Sequence, residues 1–159
     1  MATKSKEYPF PVTVAWEHER TVRTSVGGKP SIAVATPPEF HREADPRVWS
    51  PEDLLAAAAA SCLAVTIAGA ASREDLHFAD LRVDATGVVG RRDDGRFGFI
   101  RIEQHVRIGV AAEDEVRAHA LVERAEASCL VAVSLDVEIE TSLEVLALGG
   151  VARARLRHA

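Results

Sequence analysis

The sequence predicts an α+β protein in which antiparallel sheets surround one long, buried central helix. Three observations carry this. From Leu54 to Ala71 no residue is charged, and the run is mostly Ala and Leu, the strongest helix formers. On either side of it, short segments alternate apolar and polar residues with the period of a strand. Finally, the elements run strands, helix, strands, helix, strand, a segregation that fits an α+β fold with antiparallel sheets.

In chain order, Pro11–Trp16 alternates and reads as a strand. Arg20–Val26 alternates again, with Val22 and Val26 on one side. Gly27-Gly28-Lys29-Pro30 is a turn, and Ser31–Ala35 a third short strand, so a small antiparallel meander is expected. Glu39–Trp49 is a charged, irregular loop. Ser50 is then placed as a helix N-cap and Pro51 at the first helical position, with Glu52 and Asp53 in a first turn that favours negative charge. The helix ends at Ser72-Arg73-Glu74-Asp75. Leu81–Thr86 begins a strand extending toward Val89, and Asp94-Gly95 marks a hairpin turn into a long strand over Phe97–Val110. Glu113-Asp114-Glu115 opens a second helix carrying Val116, Ala120, Leu121 and Ala125 as far as Ser128-Cys129. Leu135–Glu140 alternates as a last strand.

At 159 residues the chain is long enough for one domain with a real core, and a single domain over 1–159 is expected. Residues 1–8 read as a frayed start, and 149–159 as a flexible tail with Arg153, Arg155 and Arg157. The net charge of −5 argues against a nucleic-acid partner, which would favour a basic face. Met1–Tyr8 has no apolar stretch of the secretory kind, so a cytoplasmic location is expected. The uncharged helix matches a membrane span in length. Its Ala content, its Ser61, Thr66 and Gly69, and flanks without Lys/Arg clusters or aromatic belts argue instead for a buried helix and no membrane. A helix apolar all round must be covered on every side. A chain this short would struggle to do that alone, which points to a second copy.

Candidate chemistry centres on the only two cysteines. Cys62 sits in the middle of the apolar helix and Cys129 at the end of the second helix. They read either as inert core thiols or as a redox pair. The six His, at 18, 41, 77, 105, 119 and 158, share no ligand spacing with a cysteine, so no zinc site is expected. No Gly-rich phosphate loop follows a strand.

The segment Ser50-Pro51-Glu52-Asp53-Leu54-Leu55-Ala56-Ala57 … Ala60-Ser61-Cys62, with Ala125-Glu126-Ala127-Ser128-Cys129 far downstream, resembles the OsmC/Ohr family of thiol-dependent peroxidases. The element order is similar from about Phe10 to Leu146. The resemblance implies an OsmC-like fold and an intertwined cytoplasmic homodimer with two equivalent sites at its interface. It implies an enzyme that reduces organic hydroperoxides without cofactor or metal and is recycled by a dithiol reductant, for which a lipoyl group is a candidate. By position, Cys62 matches the family's peroxidatic thiol and Cys129 its resolving thiol, while Glu52 matches the acid of the motif. The family also holds its thiolate with an arginine. The osmotically inducible branch places it on Arg42, with Arg47 in the same loop as a competitor. The organic-hydroperoxide-resistance branch takes it from the N-terminal strands, where Arg20 and Arg23 lie. Leu130 follows the second cysteine where proline is common in better-known members. The alternative on the same fold is a small-ligand-binding or redox-sensing protein without peroxidase turnover.

The chemistry of these residues is consistent in outline. Burial raises a thiol pKa, and an adjacent guanidinium reverses this by stabilising the anion. Glu52 would fix that guanidinium by a bidentate contact. The thiolate attacks the O–O bond, an alcohol leaves, and the resulting Cys62 sulfenic acid condenses with Cys129 to a disulfide. Glu52 and Cys62 are ten positions apart, about 15 Å along a continuous helix. One arginine can hardly contact both. Glu52 and its arginine therefore belong with the Cys62 of the other subunit, unless the helix breaks between them.

Overall fold

The computed structural model describes residues 6–148. The expected tail over 149–159 and the first five residues of the expected frayed start lie outside them. The chain divides into two compact units, Met1–Leu54 and Leu55–Ala159.

The first unit holds the expected meander: β1 (Thr13–His18), β2 (Thr21–Ser25) and β3 (Ile32–Ala35) in the order β1-β2-β3, each pair antiparallel. Gly28, at φ +76°, closes the β2–β3 turn in a conformation that favours glycine. Every residue of β1 is exposed, Trp16 at 71%. Val34 of β3 is buried, and Ala35 donates its N–H to the Trp49 carbonyl at 2.9 Å.

That contact sets the start of the long helix α1 (Pro51–Arg73). Ser50 is buried and caps it as expected. Its Oγ accepts the Asp53 N–H at 3.0 Å, while Asp53 Oδ2 accepts both the Ser50 N–H (2.8 Å) and the Ser50 hydroxyl (2.9 Å). This reciprocal box satisfies donors that the first helical turn would leave orphaned. By length and composition alone α1 is long and apolar enough to cross a membrane, and 22% of its most apolar window is buried. Within one chain the buried residues are Ala59, Leu63, Ile67 and Ala71, a stripe with a spacing of four. The expectation of a helix covered on all sides is thus met on one face.

In the second unit that face packs into the core. β4 (Phe78–Arg91) and β5 (Phe97–Ala111) form a long antiparallel hairpin, and β6 (Glu138–Leu148) pairs with the far side of β5. The hairpin turns at Gly95, φ +81°, where the Arg92 N–H donates to the Arg96 carbonyl at 2.8 Å. Gly87 lies so close to the Phe99 ring that a Cβ there would come within 2.5 Å of it. After a short 3-10 turn, α2 (Glu115–Ala127) buries Ala118, Leu121, Val122 and Ala125. These join Leu63 and Ile67 of α1 and Val106, Ile108 and Val110 of β5 in one cluster that includes Cys129. Arg117 and Arg124 of α2 donate to the Glu74 carbonyl and carboxylate at the end of α1.

Two features differ from the sequence reading. A further short helix, α3 (Leu130–Ser134), follows Cys129 directly. It uses up residues before the last strand, so β6 starts at Glu138 and not at Leu135, and runs on to Leu148. Moreover, β6 runs parallel to β5, from Arg101↔Glu138 to Ala111↔Leu148. Antiparallel pairing holds for the first sheet and for β4–β5. The bend before β6 is pinned by Arg92, which donates to the Asp136 carbonyl (3.1 Å), its carboxylate (3.1 Å) and the Phe99 carbonyl (3.2 Å).

Replacing Ser50 by Ala removes half of the capping box. The expected cost is about 1 kcal/mol, read as a lower urea midpoint at unchanged slope. Asp53→Ala severs the same box, so the double variant should lose less than the sum of the two single losses.

Candidate active site

Cys62 precedes Leu63 of the seated stripe and is itself half-buried. Cys129 is buried, at 1% exposure. Its place is fixed by the end of α2, where the Ser128 N–H donates to the Ala125 carbonyl and the Cys129 N–H to the Glu126 carbonyl. At Cys129 the backbone becomes extended (φ −65°, ψ 111°) and then re-enters a helix. The first amides of α3 therefore have no helical carbonyl to donate to. One of them, Val131 N–H, donates to Cys62 Sγ at 3.5 Å. Both cysteines are free, and Cys62 packs against the cluster that contains Cys129.

The electrostatics separate the two thiols. Burial pushes Cys62 up, but this is outweighed by the hydrogen bond from the Val131 amide together with the nearby Cys129 thiol, Thr66 hydroxyl and Leu130 amide. They hold Cys62 below the ordinary thiol value. Cys129 moves the other way: burial raises it, and the neighbouring Cys62 raises it further, against the Ala132 and Val131 amides. The pair is therefore polarised, with Cys62 the more readily ionised thiol and Cys129 the one that holds its proton longer. That is the division an attacking and a resolving thiol need.

The structure thus brings Cys62 and Cys129 together. The other expected residues lie in the first unit. Arg47 is held by Asp45, with Nε and Nη2 at 2.9 and 2.8 Å, and this guanidinium keeps the Asp45 carboxyl at about 2. Arg23 is likewise held by Glu17, at 2.9 and 3.0 Å. Arg42 is exposed. Glu52 Oε2 is buried with no hydrogen-bond partner among the described residues. α1 is continuous from Pro51 to Arg73, so a break between Glu52 and Cys62 is excluded. A cavity of about 340 Å³ in the first unit is lined by Arg20, Arg23, His41 and Glu43 among others. A larger one of about 700 Å³, by Arg92 and Asp136, has no cysteine in its lining. Among the described residues no group of three or more His, Cys, Asp and Glu is placed to hold a metal ion.

Sequence reasoning missed the contributions of Leu130, Val131 and Thr66. Thr66 lies four residues after Cys62, one turn along the same face, and its hydroxyl donates to the Cys62 carbonyl at 2.7 Å. That spacing was a readable signal. The amides carry none, because every residue but proline has one.

Two sheets, a long thiol-bearing helix and a second thiol at the end of a shorter one define a class of α+β proteins with a paired-cysteine centre. The family model described as OsmC-like protein matches residues 44–144, and the chain belongs to that family. An uncharacterized protein of Bacillus subtilis, YmaD, is 27% identical over 150 residues, covering 91% of this chain and 98% of that one. Among solved structures, an OsmC-like protein of unknown function from Vibrio cholerae superposes with a TM-score of 0.81 at 15% identity, covering 87% of this chain and all of that one. An organic hydroperoxide resistance protein from Elizabethkingia anophelis gives 0.71 at 22% identity, covering 91% and 100%. Family membership suggests a peroxide-related function.

The opposite shifts predict the order of titration. As pH rises, Cys62 should ionise below the ordinary thiol value and Cys129 above it. In the window between, alkylation of the reduced chain followed by peptide mass spectrometry should find label on Cys62 alone. Equal labelling of both cysteines across that window would remove the polarised pair.

Proposed function

We propose that this chain is a cytoplasmic, homodimeric thiol peroxidase that reduces organic hydroperoxides. The observation that carries the reading is the polarised pair: the Val131 amide donates to Cys62 Sγ, and Cys62 is shifted below and Cys129 above the ordinary thiol value. The Cys62 thiolate attacks one peroxide oxygen and the O–O bond breaks. The alkoxide takes a proton and leaves as an alcohol, and Cys62 is left as a sulfenic acid. The Cys129 thiol attacks that sulfur, water leaves, and a Cys62–Cys129 disulfide forms. A dithiol such as a lipoyl group returns both cysteines to thiols and is itself oxidised to a disulfide. No cofactor enters.

A second copy is supported by the apolar surface that one chain leaves open. Phe10 is 86% exposed, Trp16 71% and Val65 of α1 67%. Large apolar side chains left this open within each unit support a surface that a second copy covers. Glu52 would fix an arginine at the thiolate of the partner subunit. Its buried, unpartnered oxygen and the unbroken helix support this. Arg42 is the better candidate for that arginine, because Asp45 already engages Arg47.

Cys62→Ser should abolish consumption of an organic hydroperoxide, and Cys129→Ser should leave a sulfenic acid trappable by a dimedone-type probe. If both variants turn over at the parent rate, the peroxidase reading fails. If the parent alkylates readily at Cys62 but consumes no peroxide, the redox-sensing or ligand-binding alternative takes its place. The unfolding midpoint should rise with protein concentration, as for an obligate dimer. Mixed dimers of Cys62→Ser with Arg42→Ala chains should regain activity, because one site in each then holds a complete set of residues.

A further inference from the structure

Val131 lies in the first turn of α3, and its N–H donates to Cys62 Sγ at 3.5 Å. No helical carbonyl competes for this amide, because the first amides of a helix have none behind them. The amide of Leu63, next to Cys62 in the chain, lies inside the unbroken α1 and is taken by the ladder of that helix. The nitrogen that faces the reactive sulfur thus comes from 69 residues away and stands outside any helix ladder. We propose that Val131 N is a second resolving group: where the Cys129 thiol is absent or already oxidised, the Cys62 sulfenic acid condenses with this amide to a sulfenamide, a bond from Cys62 Sγ to Val131 N. The inference rests on Cys62 being the thiol that the hydroperoxide oxidises. It deepens that reading by giving the oxidised sulfur a second way out.

The step balances without a further oxidant. The S–N bond forms as the S–O bond breaks, the sulfenic hydroxyl leaves with the amide proton as water, and the sulfur keeps its oxidation level. A dithiol reverses it. One of its thiols attacks Sγ and returns a proton to the nitrogen; the other closes the dithiol's own disulfide and releases the Cys62 thiol. An amide nitrogen is a weak nucleophile, but its placement offsets this. A separation of 3.5 Å is at the edge of a near-attack geometry, and partners held so react as though at about 10⁵–10⁸ M. Cys129 is the better nucleophile once ionised and keeps precedence where it is intact. A sulfur held in the S–N bond is withdrawn from the step to sulfinic acid, which is irreversible.

The test treats the reduced full-length Cys129→Ser chain with cumene hydroperoxide and follows its mass. A dimedone-type probe is left out, since it attacks the same sulfur before or after water is lost. The expected product is lighter than the reduced chain by two hydrogens, joins the Cys62 and Val131 peptides after digestion, and returns to the starting mass with a dithiol. A product that stays one oxygen heavier, or gains a second oxygen without losing water, overturns the proposal, as does a crosslink to any other nitrogen. Replacing Val131 in the same chain by the α-hydroxy acid analogue of valine puts an ester oxygen where the N–H was. The crosslink should then vanish and sulfinic acid should form severalfold faster in excess peroxide; an unchanged crosslink overturns the assignment. If cumene hydroperoxide leaves Cys62 unaltered, the peroxidase reading fails by itself, and hydrogen peroxide supplies the sulfenic acid for the same comparison. Loss of two hydrogens with hydrogen peroxide alone leaves the amide step standing. Turnover by the parent with no such loss in the variant keeps the peroxidase and removes the amide step. A Cys62 that neither peroxide oxidises removes both.

Discussion

The rest of the structure depends on how α1 is seated. A helix without a charge from Leu54 to Ala71 gains by burying any face, yet one chain buries a single stripe, Ala59, Leu63, Ile67 and Ala71. β5 and α2 fix the choice, because Val106, Ile108, Val110, Leu121 and Val122 close around that stripe. Each such side chain contributes about 1.5–3 kcal/mol on burial, so this contact dominates the second unit. The surface ion pairs on the same sheet, such as Arg82–Asp84 and Arg107–Glu144, are exposed and worth little beside it. The remaining apolar faces of α1 are a constraint on what else must meet the chain.

Cys62 owes its character to its place beside that seat. A thiol inside the stripe would be desolvated and harder to ionise, as burial makes Cys129; one on the open face would behave as an ordinary thiol. At the seam, Cys62 is half-buried, and the α2–α3 turn brings the Val131 amide to its sulfur. Position in mid-helix gives it no help from the dipole of α1, which acts only in the terminal turns. Local donors supply what the helix does not. The extended backbone at Cys129 does two jobs with one kink: it buries the second thiol against the first and turns the Val131 amide toward the same sulfur.

Most of the fold was legible because local signals agreed. Ser50-Pro51 before an Ala/Leu run, Asp94-Gly95 between two alternating segments, and Gly27-Gly28 between short strands each specify one geometry, and each was found. The failures lie where tertiary contacts outvote local pattern. Leu130–Ser134 is too short and apolar to show helical periodicity, and it displaced the start of β6. The inward phase of that strand survives, with Ile139 and Leu143 partly buried, but its direction does not show in alternation. Parallel pairing follows from the α2–α3 return across the sheet. Of the site, the two thiols were readable as residue types at particular places. The amides that tune them were not, since sequence names side chains and the donors are backbone.

Glu52 carries the argument further than any arginine does. A carboxylate oxygen buried without a partner costs on the order of 1–3 kcal/mol, more if charged, and native chains seldom leave one. It lies in the first turn of a helix that runs unbroken past Cys62, so ten residues, about 15 Å, separate acid from thiol along one axis. A guanidinium gripping Glu52 therefore cannot also touch the sulfur on that same helix. In the twofold dimer proposed here, a surface meets its own copy, so whatever one chain offers it also receives. In such a dimer the acid without a partner among the described residues, the uncovered faces of α1 and the exposed row of β1 would each be half of an interface. The Val131 amide at Cys62 Sγ differs in kind, because both groups lie in one chain. The ionisation of Cys62 is thus favoured by local backbone, and in the proposed dimer the second copy would supply the counter-charge and enclose the site.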